Sequence, residues 1–100
     1  MSNFRSPKLL NLAKEAPRCM SCGTPNDGTV VACHSNSLRH GKGTGIKAHD
    51  LIAFGCQECH DLLDGRLGNL TRLEKDVMFQ DAFFFTTLWW LQSGHLQVVT

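Results

Sequence analysis

Two Cys-x-x-Cys pairs, Cys19–Cys22 and Cys56–Cys59, constrain what this chain can fold into more than any other feature. Each pair presents two sulfurs from one tight turn, and two such turns supply the four thiolates of a closed tetrahedral zinc site. Thirty-three residues separate Cys22 from Cys56, so that stretch must leave the metal and return to it. A chain of 100 residues makes one small domain that buries roughly 60–70% of its unfolded surface. Zinc binding would add directly to the folding free energy of so modest a core. There is no run of about 18 apolar residues, so no membrane span is expected. Residues 1–14 also lack the apolar stretch of a signal peptide. The expected setting is therefore cytosolic, where paired cysteines favour metal over disulfide. The fifth cysteine, Cys33, reads as a small buried apolar side chain.

Three segments follow from the local signals. Residues 1–18 form a leader with a short helix around Pro7–Glu15, stopped by Pro17. Residues 19–68 form the zinc-bound core. Within it Thr29–Cys33 is β-branched and apolar and reads as a strand ending at His34, and Leu51–Phe54 reads as a second strand. The two pair as a hairpin across a long loop, and Gly55 turns the chain into the second knuckle. Gln57–Leu67 then reads as a helix. Knuckle, hairpin, and knuckle at a helix start describe a treble-clef finger, so the fold class is α+β.

Residues 69–100 form a C-terminal helix. Leu73, Val77, Gln80, Phe84, Leu88 and Leu91 recur at spacings of three and four, an amphipathic pattern. Asn69 or Thr71 caps it, with Glu74 completing a capping box for Thr71, and Gly94 stops it. Phe79, Phe83, Phe85, Trp89 and Trp90 make the helix apolar on more than one side. Such a helix covers the zinc domain with one face and offers another to a partner, of which a second copy is the simplest.

Beyond the four cysteines, the chemically loaded groups are His34, Asp50, His60 and Asp64. His60 follows Cys59, so it points about 100° around the helix from that sulfur. Asp64 lies one turn on, and a His and an Asp at that spacing either share a divalent cation or make a helix-surface hydrogen bond. His34 ends the first strand and Asp50 begins the second, and a hairpin lying over the helix would bring His34 toward His60. A histidine titrates near neutral pH and can deprotonate water. The net charge of +1 is low for a nucleic-acid binder. Arg39, His40, Lys42 and Lys47 nevertheless cluster with no acid before Asp50. They read either as a solvated loop or as phosphate contacts around Gly41, Gly43 and Gly45. This glycine run lacks P-loop spacing, which argues against nucleotide hydrolysis.

A strand-ending His and a Cys-x-x-Cys-His knuckle opening a helix resemble the HNH, or ββα-metal, endonucleases, whose mark also includes a central Asn. More closely, Ala32-Cys33-His34, Gly43–Lys47, Asp50–Ala53, Cys56–Asp61 and Asp64-Gly65-Arg66 resemble the YbcO-type nucleases of lambdoid phages and prophages. The resemblance covers Cys19 to about Arg66. It implies an endonuclease hydrolysing DNA phosphodiester bonds in the cytoplasm of a bacterial host. His34 would be the general base, Asp50 would stand near the central Asn, and His60 with Asp64 would hold Mg²⁺ or Mn²⁺. Arg39, Lys42, Lys47 and Arg66 would contact DNA. Two positions depart from the family pattern. Cys33 stands where an acidic or histidine ligand is common, and the central Asn is not matched, since Asp50 lies near its place but six residues before Cys56, where five is usual. The alternative reading is a non-catalytic zinc treble clef that binds DNA or a protein partner.

Overall fold

The computed structural model describes residues 2–99. Helix α1 (Pro7–Asn11) starts where the Ser6 hydroxyl accepts the Leu9 N–H and proline occupies the first turn, and it runs into a 3₁₀ turn at Leu12–Glu15. Strands β1 (Val31–Cys33) and β2 (Ala53–Gly55) pair antiparallel, with Val31 opposite Gly55, Ala32 opposite Phe54, and Cys33 opposite Ala53. Helices α2 (Gln57–Leu63) and α3 (Arg72–Gln92) follow. This is the expected α+β order, with a two-stranded sheet, three helices and the four cysteines at one end of the hairpin.

The strands are shorter than their sequence pattern, since Thr29, Val30, Leu51 and Ile52 make no ladder pairs. The Asp50 N–H donates to the Phe4 carbonyl at 2.9 Å, so the residues before β2 pair with the strap at Asn3–Ser6. The Asn3 side chain donates to the carbonyls of Gly41 and Lys47, both at 2.8 Å, and Arg5 reaches the carbonyls of Lys47 and Ala48. The loop between the strands is thereby fastened across its width. Its tip is a tight turn in which Gly43 and Ile46 exchange hydrogen bonds of 3.0 and 3.1 Å. Helix α2 ends at Leu63 rather than near Leu67. Asp64 caps it and Gly65 follows at φ 76°, a left-handed conformation that only glycine adopts without strain.

The core lies between β2 and α3. Ile52, Ala53 and Phe54 are fully buried. The Phe54 ring meets Trp90 edge-on at 5.7 Å and Trp89 at 6.1 Å, a pairing that contributes about 0.5–1.5 kcal/mol beyond area burial. The capping box at Thr71 and Glu74 is formed in both directions. The inward face of α3 is Ala82, Thr86 and Trp90, with Met78, Phe79, Phe83 and Trp89 packed beside them. The stripe at spacings of three and four, Leu73, Val77, Phe84, Leu88 and Leu91, lies on the outside. The core therefore took the face carrying Ala82 and Thr86, whose small side chains let the helix approach β2 closely. At that contact the Phe54 N–H donates to the Thr86 hydroxyl at 2.9 Å, and the hydroxyl donates to the Ala82 carbonyl at 2.7 Å. No helix among the described residues is long and apolar enough to cross a membrane.

Candidate functional site

The sulfurs of Cys19, Cys22, Cys56 and Cys59 lie within 4.8 Å of one another. Those of Cys22 and Cys56 are 3.9 Å apart, close to the edge of about 3.8 Å expected for a tetrahedron with ~2.3 Å zinc–sulfur bonds. The backbone folds to this end. In the first knuckle the N–H groups of Ser21 and Cys22 both point at the Cys19 sulfur at 3.4 Å, supporting negative charge there. The Thr24 hydroxyl, 3.0 Å from the Cys22 sulfur, together with its backbone lowers that thiol to about 6. Burial pushes Cys56 and Cys59 up, and a bound cation offsets such a cost by taking the thiolate. The donor set, spacing and shape fit one zinc ion and leave no open position.

Cys33 sits beside this cluster but outside it. It is 1% exposed, and burial holds its thiol up at about 12. Gly55 allows the close packing, since a Cβ there would lie 3.3 Å from the Cys33 sulfur and 3.5 Å from the Cys59 Cβ.

The second constellation is a cavity of about 400 Å³ between the loop and α2. Its walls are His34, Ser35, Asn36, Lys42, Lys47, His60, Asp64 and Arg66. His34 arrives from the end of β1, Lys42 and Lys47 from the strapped loop, His60 and Asp64 from α2 and its cap. His60 Nε2 lies 3.3 Å from Asp64 Oδ2, while His60 Nδ1 is buried with no hydrogen-bond partner. Asn36 donates to the Leu63 carbonyl and to Asp64 Oδ1, both at 3.2 Å, which fixes the carboxylate at the helix end. Arg66 approaches Asp61 and Asp64 at 3.7 and 3.8 Å. The histidine–carboxylate pair, with room beside it for waters and a phosphate, fits a hard divalent cation better than the sulfur site does.

Asp50 stands outside these walls, 2% exposed. Its Oδ1 meets His34 Nε2 at 2.7 Å and Arg5 at 3.0 Å, and its Oδ2 accepts the Ser6 N–H at 2.8 Å. Burial pushes this carboxyl up, and the bonds from His34, Ser6 and Arg5 outweigh it, so it stays below the usual 3.8. An ionised acceptor at Nε2 fixes the tautomer of His34 and leaves Nδ1 to receive a proton.

Of the residues singled out from sequence, His34, Lys42, Lys47, His60, Asp64 and Arg66 share the cavity, Asp50 lies behind His34, and Arg39 lines a neighbouring cavity. Sequence reading missed Asn36 and the strap residues Asn3, Arg5 and Ser6. Asn36 carried one weak signal, its place two residues after His34. The strap carried none, because its partners lie 38–45 residues away.

Comparison with family models gives one described as "Putative nuclease YbcO", matching residues 12–95. Comparison with curated proteins and with solved structures returned no match.

Proposed function

We propose, from the premise that the chain belongs to the YbcO nuclease family, that it is an HNH-type, metal-dependent endonuclease of a phage or prophage. Its substrate is DNA in the cytoplasm of a bacterial host. The observation that carries this reading is the meeting of His34, His60 and Asp64 in one cavity with Lys42, Lys47 and Arg66 on its walls. A closed four-thiolate zinc site has no need of these groups. In this reading Cys19, Cys22, Cys56 and Cys59 hold a structural Zn²⁺ that locks hairpin to helix in a treble clef.

His34 is the general base. Asp50 holds Nε2–H and stabilises the imidazolium that forms, so Nδ1 accepts the proton of the attacking water. Asp50 is therefore a positioning residue. His60 and Asp64 would hold Mg²⁺ or Mn²⁺, which when bound polarises the scissile phosphate and stabilises the leaving oxygen. Asn36 keeps Asp64 aimed into the cavity. Lys42, Lys47 and Arg66 place the phosphodiester by its charge, and Arg39 contacts the strand further along. A homodimer through the outward stripe of α3 completes the reading. Its support is the exposure of Leu73, Val77, Phe84, Leu88 and Leu91 along that stripe.

Plasmid nicking with Mg²⁺, Mn²⁺ or EDTA, run beside His34→Ala, tests the activity. We expect cation-dependent nicking that falls roughly 10²–10⁴-fold in the variant, with zinc content unchanged. Nicking at wild-type rate in His34→Ala removes the base from its role. Failure of the wild type with either cation leaves a zinc module that binds without cutting.

A further inference from the structure

The cleavage cavity continues past His34. His34, Ser35 and Asn36 also line a second cavity, of about 390 Å³, whose far wall is the first turns of α3. There Arg39 from the loop shares the walls with Arg72 and Lys75, with Asp76 as the one acid among them. Three cations to one acid give this groove an excess of positive charge next to the proposed scissile position. It shares Ser35, Arg39, His40, Phe79 and Gln80 with a third cavity, of about 350 Å³, whose other walls are His49, Leu51 and Phe83. Phe79, Phe83 and Leu51 make its surface mostly apolar. Phe79 lines both the groove and the aromatic cavity, and stacks against Phe83 at 6.1 Å with 29° between the rings. The floor is rigid: Ser35, which lines all three cavities, shares a 2.6 Å hydrogen bond with His40, and His49 accepts the Phe4 N–H at 2.8 Å.

Phosphate-binding charge leading into an aromatic recess is the chemistry of a single strand. Backbone phosphates follow the cations, and a base leaves the strand to stack on the ring face. A base within a duplex is stacked on its neighbours and cannot enter such a recess. We propose that Phe79, with Arg39, Arg72 and Lys75, forms a binding site for an unpaired nucleotide of a DNA strand beside the phosphate at His34. The substrate is thus DNA with a single-stranded segment at the cut, such as a flap, gap or branch. This deepens the nuclease reading and rests on it for the position of the cut.

The test is fluorescence anisotropy of zinc-loaded full-length protein, with no other divalent cation added. The probes are a fluorescein-labelled 12-mer of thymidine and a 12-base-pair duplex. The wild type should bind the single strand at least tenfold more tightly. Phe79→Leu keeps apolar volume but removes the ring, and should weaken single-strand binding roughly 5- to 150-fold, the scale of one base–aromatic stack. Phe79→Trp should retain it. Arg72→Ala with Lys75→Ala, two changes outside the core, should weaken binding and lower the salt slope by about 1.4. Unchanged single-strand affinity in Phe79→Leu, or a wild-type preference for the duplex, overturns the site. Adding Mg²⁺ or Mn²⁺ to the same complexes separates the two claims. Binding as described without cleavage sustains the pocket and sinks the nuclease, whereas cleavage with Phe79→Leu neutral does the reverse.

Discussion

Replacing Asp50 by alanine should test how the site is held. The substitution removes the acceptor for His34 Nε2, the Ser6 N–H and Arg5 together. The Arg5 side chain is 43% exposed, so its ion pair adds little, under about 1 kcal/mol. The other two bonds end on a carboxylate 2% exposed, and each is worth about 1.5–3 kcal/mol because one partner is charged. The expected loss is therefore roughly 3–6 kcal/mol, near the scale for breaking a buried pair from one side. In a domain of this size that lowers the melting temperature by about 12–48 °C. Asp50→Asn, which keeps an acceptor but not the charge, should fall between. Differential scanning calorimetry of zinc-loaded protein reads the effect. The sign with pH is fixed: the folded carboxyl sits below its ordinary 3.8, so its contribution is complete above that value and is lost only as pH falls through the folded one. The deficit should thus not shrink from about pH 8 down to about pH 5. A variant melting within about 3 °C of wild type would mean that Asp50 neither anchors the strap nor orients His34.

Elemental analysis of purified protein should find about one zinc per chain, and Cys56→Ser should lose it and unfold; a metal-free sample that folds fully contradicts this. Thr86→Val keeps shape but strands the Phe54 N–H in the core, so it should cost about 1–3 kcal/mol in denaturant titration, and a neutral result would assign that donor another partner. Light scattering at tens of micromolar should give the mass of two chains, shifting to one on Phe84→Glu. A monomer mass in both would leave the outward stripe of α3 exposed in solution.

The parts that were legible in the sequence are those whose cause is local. Four cysteines in two pairs announce a metal cluster, Thr71 and Glu74 announce a helix start, and β-branched residues before His34 announce a strand. His60 and Asp64 were legible because one helical turn brings them together whatever the rest of the chain does. Two things were not. The face of α3 that enters the core could not be read from periodicity, since apolar residues lie on more than one side of the helix and the choice fell to the small side chains of Ala82 and Thr86. The part played by Asp50 could not be read either. Its position resembled a place near the chemistry, but its partners Arg5 and Ser6 come from a leader with no motif of its own, and only tertiary structure joins them.

The bond from Phe54 to Thr86 bears on how the molecule comes apart. A two-stranded sheet has two open margins, and β2's outer one is closed at Phe54, where the N–H goes to a threonine of α3 and the carbonyl accepts the Met20 N–H from the first knuckle. A side chain and the turn of the first cysteine knuckle thus stand in for a missing third strand. Stripping the metal or displacing the helix would each uncover half of the same margin, an invitation to pair with another chain. Finger and helix therefore make one cooperative unit. Neither should survive excision of the other, and chelation and truncation should drive the protein toward the same aggregating state.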